Sequence, residues 1–232
     1  MATKTRGVKA AGAKATSFSF DSASLVKKLL AAAPERARDV LTRRFGLGTA
    51  VKRETLEAIG DRSGITRERV RQIEAAGLDA IRESAAFKDA RKSFEEVSSH
   101  VETLGAIVPE DELLATLASD EKGRNRFRFL LVLGSTFIRE RETDDFLARW
   151  HIDAKTAKAI HDALSSLYGS LSDDEVVAES ELLDRFLDEL KGVNDAYKNE
   201  EVLKRWLSLS KKIGKNPLAE WGRATTPAIR TK

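Results

Sequence analysis

Hydrogen-bonding side chains are concentrated in the stretch GITRERVRQIEAAGL, residues 64–78. Arg67, Glu68, Arg71 and Gln72 lie within the first turns of a helix that this stretch predicts. Arginine can span guanine O6 and N7, glutamate can accept from cytosine N4, and glutamine can pair with adenine N6 and N7. These residues therefore have the chemistry to read base edges in a major groove. An ordinary solvated helix, stabilised by opposite charges at i,i+4 spacing, is the alternative interpretation.

A helical wheel at 100° per residue separates this helix, expected from 67 to about 82, into two faces. The face expected to pack consists of Val70, Ile73, Gly77, Ala80 and Ile81. The opposite face consists of Glu68, Arg71, Gln72, Ala75 and Asp79, with Arg67 and Arg69 at its flanks. The polar residues at the helix start are therefore expected to face outward.

A short helix is predicted immediately before the helix at 67–82 and determines how that second helix is positioned. Thr55 can cap a helix over about 56–61, and Thr66 can cap the helix that follows. Gly60 and Gly64 place small or flexible residues where the two helices cross and turn. This arrangement predicts a helix-turn-helix, whose second helix presents its N-terminal side chains to the major groove. It favours the base-reading interpretation over the solvated helix.

Composition and charge limit the class of protein and its partners. The chain has 232 residues and no cysteine, which excludes disulfides, zinc-thiolate sites, thiolate nucleophiles and iron-sulfur clusters. No apolar run approaches the ~20 residues of a membrane helix, and the N-terminus lacks a secretory signal, so we expect a cytoplasmic, nucleoid-associated protein without a membrane partner. Residues 1–84 carry a net charge of +7, residues 85–210 −9 and residues 211–232 +5. A polyanion is therefore expected near the N-terminus, with ordinary surface charge as the alternative.

No pattern of residues predicts an enzyme. His100, His151 and His161 have spacings that fit no metal site, and the acidic pairs lie in turn-like surroundings. The sequence has no nucleophile elbow and no glycine-rich phosphate loop. We therefore expect no catalytic residues, metal, cofactor or small-molecule substrate, and a histidine that is solvated or partly packed at each position.

The predicted fold is mainly α, with the helix-turn-helix bundle first and a mostly helical region after it. The order of helices and a β-hairpin, expected at about 137–152, is compatible by analogy with a winged-helix module. Further helices are predicted at about 154–169, 179–191 and 199–210. The predicted divisions are a disordered basic tail (1–20), the helix-turn-helix domain (21–84), a helical connector (85–99), an acidic, mostly helical domain (100–210) and a basic C-terminal arm (211–232).

Three stretches in order resemble region 4 of bacterial sigma-70-family transcription initiation factors. They are RARDVLTRRFGL (36–47), TLEAIG (55–60) and GITRERVRQIEAAGLDAIR (64–82), preceded by APER, which is similar to that family's LPER start. The resemblance covers about a quarter of the chain. It implies that the second helix enters the major groove of a promoter's minus-35 element, where Arg67, Glu68 and Gln72 read bases.

The resemblance also implies contacts to the DNA backbone and to RNA polymerase. Arg69 and Arg71 would lie near phosphates or a neighbouring activator. Thr55, with the backbone N–H of Leu56, would hold a phosphate. Arg43 and Arg44 form the basic end of the upstream helix, also near the backbone. In the family the first helices, here about 22–45, grip the flap of the polymerase β subunit, which makes the flap a second expected partner.

Some features depart from the family pattern. Nothing resembles region 2, whose helices melt the minus-10 element, so we expect no promoter opening by this chain alone. Gly77 replaces alanine or a basic residue, at an expected helix cost of ~1 kcal/mol. The expected function is a sequence-specific DNA-binding transcription regulator associated with RNA polymerase. The alternative is an interaction protein that binds the polymerase without reading bases, while an enzyme with a targeting domain lacks any site.

Overall fold

A computed structural model describes residues 16–230 of the chain. The fold is mainly α, as predicted. The helices are α1 (Ser22–Ala31), α2 (Glu35–Phe45), α3 (Leu56–Ser63), α4 (Arg67–Glu83), α5 (Ala85–Asp89), α6 (Arg91–Thr103), α7 (Glu110–Leu117), α8 (Glu121–Leu133), α9 (Ala154–Ser170), α10 (Glu179–Glu189), α11 (Glu200–Leu207) and α12 (Pro227–Arg230). The strands are β1 (Ile107–Pro109), β2 (Ile138–Glu140), β3 (Arg149–His151), β4 (Val177–Ala178), β5 (Ile213–Lys215) and β6 (Glu220–Arg223).

Residue contacts divide the chain into two compact units. The first contains the chain up to Glu95 together with Leu114–Gly134, and the second contains Glu96–Leu113 and the chain from Ser135 onward. The sequence placed a domain boundary at residue 84, whereas residue contacts group α8 with the first unit. The sequence between α4 and α8 is helical in α5 and α6, as expected for 85–99. The assignment of α8 to the first unit depends on long-range packing, which the local periodicity of a sequence cannot predict.

The core of the first unit is built where α2, α3 and α4 cross. Ile59, Val70 and Ile81 are fully buried there. Gly77 lies at the crossing of α4 with α2, where a Cβ atom would stand 2.7 Å from the Cβ of Ala37. The glycine that sequence reasoning counted as a helix cost therefore permits the close approach of two helices.

Helix α8 packs against α1 and α2 and completes this unit. The rings of Phe45 in α2 and Phe129 in α8 meet edge to face with centroids 5.4 Å apart. At the end of α8, the guanidinium of Arg82 donates to the carbonyl oxygens of Val132 and Leu133 at 3.0 and 3.1 Å. Since the last carbonyls of a helix have no partner within it, this arginine of α4 caps α8.

Residues 16–20, at the start of the described chain, are anchored by aromatic contacts and a backbone hydrogen bond. The rings of Phe18 and Phe20 lie 5.2 and 6.3 Å from the ring of Phe127, and Thr16 N donates to Thr116 O at 2.8 Å. The predicted disorder of residues 1–20 is therefore wrong for 16–20, because the two phenylalanines give this short segment an apolar anchor. The prediction for residues 1–15 lies outside the described residues.

Two small antiparallel sheets lie in the second unit. In the first sheet β3 pairs with both β1 and β2, with Trp150 opposite Val108 and Arg139, so the hairpin predicted at 137–152 is confirmed. In the second sheet β6 pairs with both β4 and β5. The helices predicted after residue 153 are confirmed as α9, α10 and α11.

The order of elements is repeated along the chain. Helix, strand, helix, helix and two strands occur as α6–β1–α7–α8–β2–β3 and again as α9–β4–α10–α11–β5–β6. In both runs the third strand lies at the centre of the sheet. This order is compatible by analogy with a winged helix-turn-helix, as expected from the sequence, but α8 belongs to the first unit, so of the two runs the second alone lies within one unit.

Residues 211–230 contain regular secondary structure where the sequence predicted a basic arm over 211–232, of which residues 231–232 lie outside the described residues. Strands β5 and β6 and helix α12 lie in this stretch, and Trp221 and Ile213 are buried. Gly214 in β5 and Gly222 in β6 obscured the alternating pattern that would have predicted these strands. Both glycines are required by packing. A Cβ on Gly222 would lie 2.5 Å from the carbonyl oxygen of Glu175, and a Cβ on Gly214 would lie 2.8 Å from Ile229 Cγ2.

Candidate nucleic-acid interface

The second helix of the helix-turn-helix is held by two side-chain caps and a left-handed turn. Thr55 Oγ1 accepts from Ala58 N at 3.1 Å at the start of α3, and Thr66 Oγ1 accepts from Arg69 N at 3.2 Å at the start of α4. Gly64 ends α3 with φ of 63°, a conformation that favours glycine. A Cβ on Gly60 would lie 2.6 Å from the carbonyl oxygen of Ile65, so the turn passes closely over α3.

Helix α4 buries one face and exposes the other as the wheel predicted. The buried residues are Val70, Ile73, Gly77, Leu78 and Ile81; Ala80 is half-buried, and Leu78 is an addition to the predicted face. The exposed residues include Arg67, Glu68, Arg69, Arg71, Gln72, Ala75 and Asp79. All five polar residues that were predicted to contact DNA from this helix are therefore accessible together.

These exposed polar groups are bonded to one another. Arg71 donates to both carboxylate oxygens of Glu68, at 2.9 and 2.7 Å. Gln72 Nε2 lies 3.4 Å from Glu68 Oε1, and Arg69 Nη1 donates to Gln72 Oε1 at 3.1 Å. The hydrogen bond from Arg71 lowers the pKa of Glu68, which keeps this carboxylate ionised and an acceptor. Glu68 and Gln72 are thus ordered before any ligand arrives.

Arg67 differs from its neighbours in having no such partner. Within residues 16–230 its side chain makes no hydrogen bond or close ion pair; its charge contributes to the lowered pKa of Glu68, and the side chain is exposed at the first position of α4. Its five N–H donors are therefore available to a base edge without breaking an internal bond.

The two predicted backbone-contacting arginines of α2 are partly engaged. Arg43 Nε pairs with Asp39 at 3.0 Å. Arg44 Nε pairs with Glu74 at 3.3 Å, and its Nη1 donates to the carbonyl oxygen of Glu54 at 3.2 Å. Burial raises the pKa of Glu74 more strongly than Arg44 lowers it. Arg44 thus connects α2, α4 and the loop before α3, while part of its guanidinium remains exposed.

The N-terminus of α3 supplies backbone donors beside the arginines. Thr55 is exposed and Leu56 is half-buried, and the first amides of a helix have no acceptor within it. The positive end of the helix dipole adds to their attraction for an anion. This geometry is compatible with the phosphate contact that the resemblance implied for these two residues.

A cleft beside this helix contains two basic residues that sequence reasoning missed. Its volume is about 570 Å³, and it is lined by Arg44, Val51, Lys52, Arg53, Glu54, Thr55 and Glu121. Lys52 and Arg53 are exposed, and neither pairs with a carboxylate in the described part of the chain. The run KRE at residues 52–54, just before the capping Thr55, was the available signal, since it places two cations next to a helix N-terminus.

A second cluster of ionisable groups lies in the second unit and is bonded internally. In the second unit Arg149 Nε donates to His161 Nε2 at 2.7 Å, and Arg149 and His151 both pair with Glu140. Burial, followed by the Arg149 guanidinium, lowers the pKa of His161 to about 4. Over residues 16–230 no three His, Asp or Glu side chains are arranged to hold a metal ion. In the same range no helix is long and apolar enough to cross a membrane.

Comparison with known proteins identifies the helix-turn-helix. The family model for sigma-70, region 4 matches residues 29–83. The RNA polymerase sigma factor RpoS of Coxiella burnetii is 47% identical over 57 residues, which are 25% of this chain and 16% of that protein. The RNA polymerase sigma factor SigA of a Nostoc species is 46% identical over 57 residues, which are 25% of this chain and 14% of that protein. No solved structure matches.

The similarity is confined to one part of the chain and coincides with the geometry described above. The chain spans about a sixth or less of the length of these curated relatives. The matched residues contain α2, α3, the Gly64 turn and α4 with its exposed polar face. Residues 29–83 are a sigma-70 region 4 domain, a helix-turn-helix homologous to part of bacterial sigma factors.

Proposed function

We propose that this chain is a sequence-specific DNA-binding transcription regulator that acts together with RNA polymerase. Its helix-turn-helix reads a minus-35-like promoter element in the major groove. Arg67, Glu68 and Gln72 contact bases, and Arg69 and Arg71 contact phosphates. Thr55, Leu56, Arg43 and Arg44 hold the DNA backbone on the other side of the turn.

The observation that carries the proposal is the exposed face of α4. The side chains that can distinguish bases lie at the N-terminal end of the second helix, while its other face is anchored by Val70, Ile73 and Ile81. A rigid helix whose polar end is free is what a major-groove reader requires. The net charge of +7 over residues 1–84 adds attraction for phosphates.

Packing in the first unit bears on contact with RNA polymerase, which is part of this proposal and is the whole of the alternative, a polymerase-binding protein that does not read bases. The resemblance assigns the grip on the β flap to the first helices, about 22–45. Apolar side chains of α1 and α2 pack against α8, with Phe45 on Phe129. A partner that needs this face has to displace α8, whereas the polar face of α4 is open to DNA.

Replacement of Arg67 tests base reading. Arg67→Ala should relax the base preference at one position and cost about 1–3 kcal/mol of discrimination, because a bidentate contact to one base is lost. Arg43→Ala should weaken binding to all duplexes about equally, since a phosphate contact carries no sequence information. Fluorescence titration with duplexes of different sequence measures both effects. Equal affinity for every duplex, before and after Arg67→Ala, contradicts the proposal.

A further inference from the structure

We propose that α8 builds part of the DNA interface. Asn125 holds the loop between α2 and α3 so that Arg44, Lys52 and Arg53 form a cleft for a phosphate of the DNA backbone. The inference rests on the proposed DNA-binding function and adds a backbone contact and a positioning residue to it. The positioning residue lies beyond the matched residues 29–83.

Asn125 of α8 is fully buried and uses its side-chain amide to hold the loop between α2 and α3. Its Nδ2 donates to the carbonyl oxygens of Gly46 and Val51 at 3.3 and 2.8 Å. Its Oδ1 accepts from Arg128 Nη1 at 3.0 Å, which fixes the orientation of the amide. One side chain of α8 thus joins the beginning of the loop to its middle.

The loop is folded tightly around this amide. Gly46 has φ of 63°, and a Cβ atom there would lie 2.3 Å from Val51 O and 2.7 Å from Asn125 Nδ2. The two carbonyl groups therefore face the same buried point. Without the amide they would be left unpaired, which costs more than the hydrogen bonds contribute.

The end of the loop is held as firmly as its beginning. Glu54 N donates to Arg43 O at 3.0 Å, and Glu54 O accepts from Arg44 Nη1 at 3.2 Å. The Glu54 carboxylate pairs with Arg62 at 3.2 Å. Between the two fixed points only Lys52 and Arg53 project as exposed, unpaired cations.

The charges around the cleft favour an anion. The acidic residues that line the cleft are Glu54 and Glu121. Glu54 Oε1 pairs with Arg62 at 3.2 Å, while its Oε2 is buried without a hydrogen-bond partner among the described residues. Lys52, Arg53 and the partly exposed Arg44 therefore outnumber the two carboxylates, of which one already has a cationic partner. The N-terminus of α3 at Thr55 adds backbone donors to the same cleft. A phosphate of a DNA strand fits this combination of point charges and N–H groups.

Helix α8 is itself anchored, so it can act as a rigid support. Phe129 packs on Phe45, and Arg82 caps the last carbonyls of α8. A loop fixed in this way loses little freedom when DNA binds, and that raises affinity for any duplex regardless of its sequence.

The salt dependence of binding tests the cleft directly. The full chain is titrated with a duplex of mixed sequence between 50 and 200 mM salt by fluorescence anisotropy. The double variant Lys52→Ala/Arg53→Ala should reduce the magnitude of the slope of log K against log salt by about one, since the loss of one phosphate contact removes about 0.9. The control Lys88→Ala/Lys92→Ala removes two exposed positive charges as well, one from α5 and one from α6, and should leave the slope unchanged.

Two further variants test the positioning residue and the opposing charge. Asn125→Leu should weaken binding about tenfold for all sequences and preserve the order of preference among them. If Asn125→Leu does not fold by circular dichroism, Glu121→Gln replaces it and should tighten binding severalfold, because it removes the carboxylate that faces the cleft.

The outcomes separate the cleft from the proposed base reading. A wild-type slope in Lys52→Ala/Arg53→Ala, with sequence preference intact, overturns the cleft alone. A reduced slope in a protein that binds all duplexes equally supports the cleft and contradicts base reading. Absence of duplex binding by the wild-type chain overturns both.

Discussion

The polar side chains of the α4 face are ordered by their own hydrogen bonds. Glu68 is held by both nitrogens of Arg71, and Gln72 is held between Glu68 and Arg69. On a fully exposed surface such bonds are worth little for stability. These bonds affect recognition instead, because a side chain already fixed in one rotamer loses less conformational entropy when it binds a base. Arg67, which has no such bond, is free to adapt.

Acidification is predicted to weaken the fold through His161. In the unfolded chain this imidazole has its ordinary pKa of 6.5, whereas burial and Arg149 lower the pKa to about 4 in the folded state. Between these values the unfolded state binds more protons, so stability falls as the pH drops from about 6.5 toward 4. Urea unfolding followed by circular dichroism at several pH values measures this decrease.

A variant at the same position provides the control for this effect. His161→Gln removes the titrating group, so its stability should depend less on pH in that window than that of the wild type. Equal pH dependence in the two proteins would show that His161 is not responsible. The contact between the rings of Phe146 and His161, with centroids 4.6 Å apart, accounts for part of the burial.

At the scale of helices, the crossing of α2 and α4 depends on Gly77. Gly77→Ala should gain helix propensity of ~1 kcal/mol but lose more by steric overlap with Ala37, where the added Cβ would stand 2.7 Å from a Cβ atom. A net loss of about 1–3 kcal/mol is expected, as for overpacking in other cores. Chemical denaturation measures it.

Gly169 provides the matched control because it also lies in a helix, α9, but in open space. A Cβ atom there has nothing within 4 Å, so Gly169→Ala should be neutral or stabilising by up to ~1 kcal/mol. Stabilisation by both substitutions would contradict the close approach of α2 and α4.

Local sequence patterns predicted the helix-turn-helix, but they did not predict how α8 packs against it. The alternation of apolar and polar residues on α4, the caps Thr55 and Thr66 and the turn at Gly64 are all local signals, and the structure contains each of them. Asn125 could not be predicted, since an asparagine inside a helix carries no local sign of bonding to a loop more than 70 residues earlier. The strands at the C-terminus were missed because each has only three or four residues and contains a glycine.

At the scale of the molecule, free positive charge is concentrated in the first unit. The basic side chains around the last hairpin are paired with carboxylates: Lys211 with Glu142, Lys212 with Asp145, Lys215 with Glu179 and Arg223 with Asp173. Lys204 and Arg205 of α11 are also paired with glutamates. Helix α11 and the last hairpin therefore present little unpaired positive charge, and we expect DNA to bind the first unit.

The packing of α8 predicts that the region 4 domain is less stable when it is cut from the rest of the chain. A fragment ending at residue 99 exposes the faces of α1 and α2 that α8 covers and loses the burial of Phe129. It should be less stable than a fragment ending at residue 134 by more than about 3 kcal/mol, the usual cost of removing one buried phenylalanine. Urea unfolding of the two fragments measures the difference, and equal midpoints would show that α8 is dispensable.

Base reading by α4 is tested by selecting bound duplexes from a random DNA pool with the full chain. We expect enrichment of a minus-35-like consensus, and loss of preference at one position when the selection is repeated with Arg67→Ala. A pool that remains unenriched after selection, although the protein retains DNA, would contradict it.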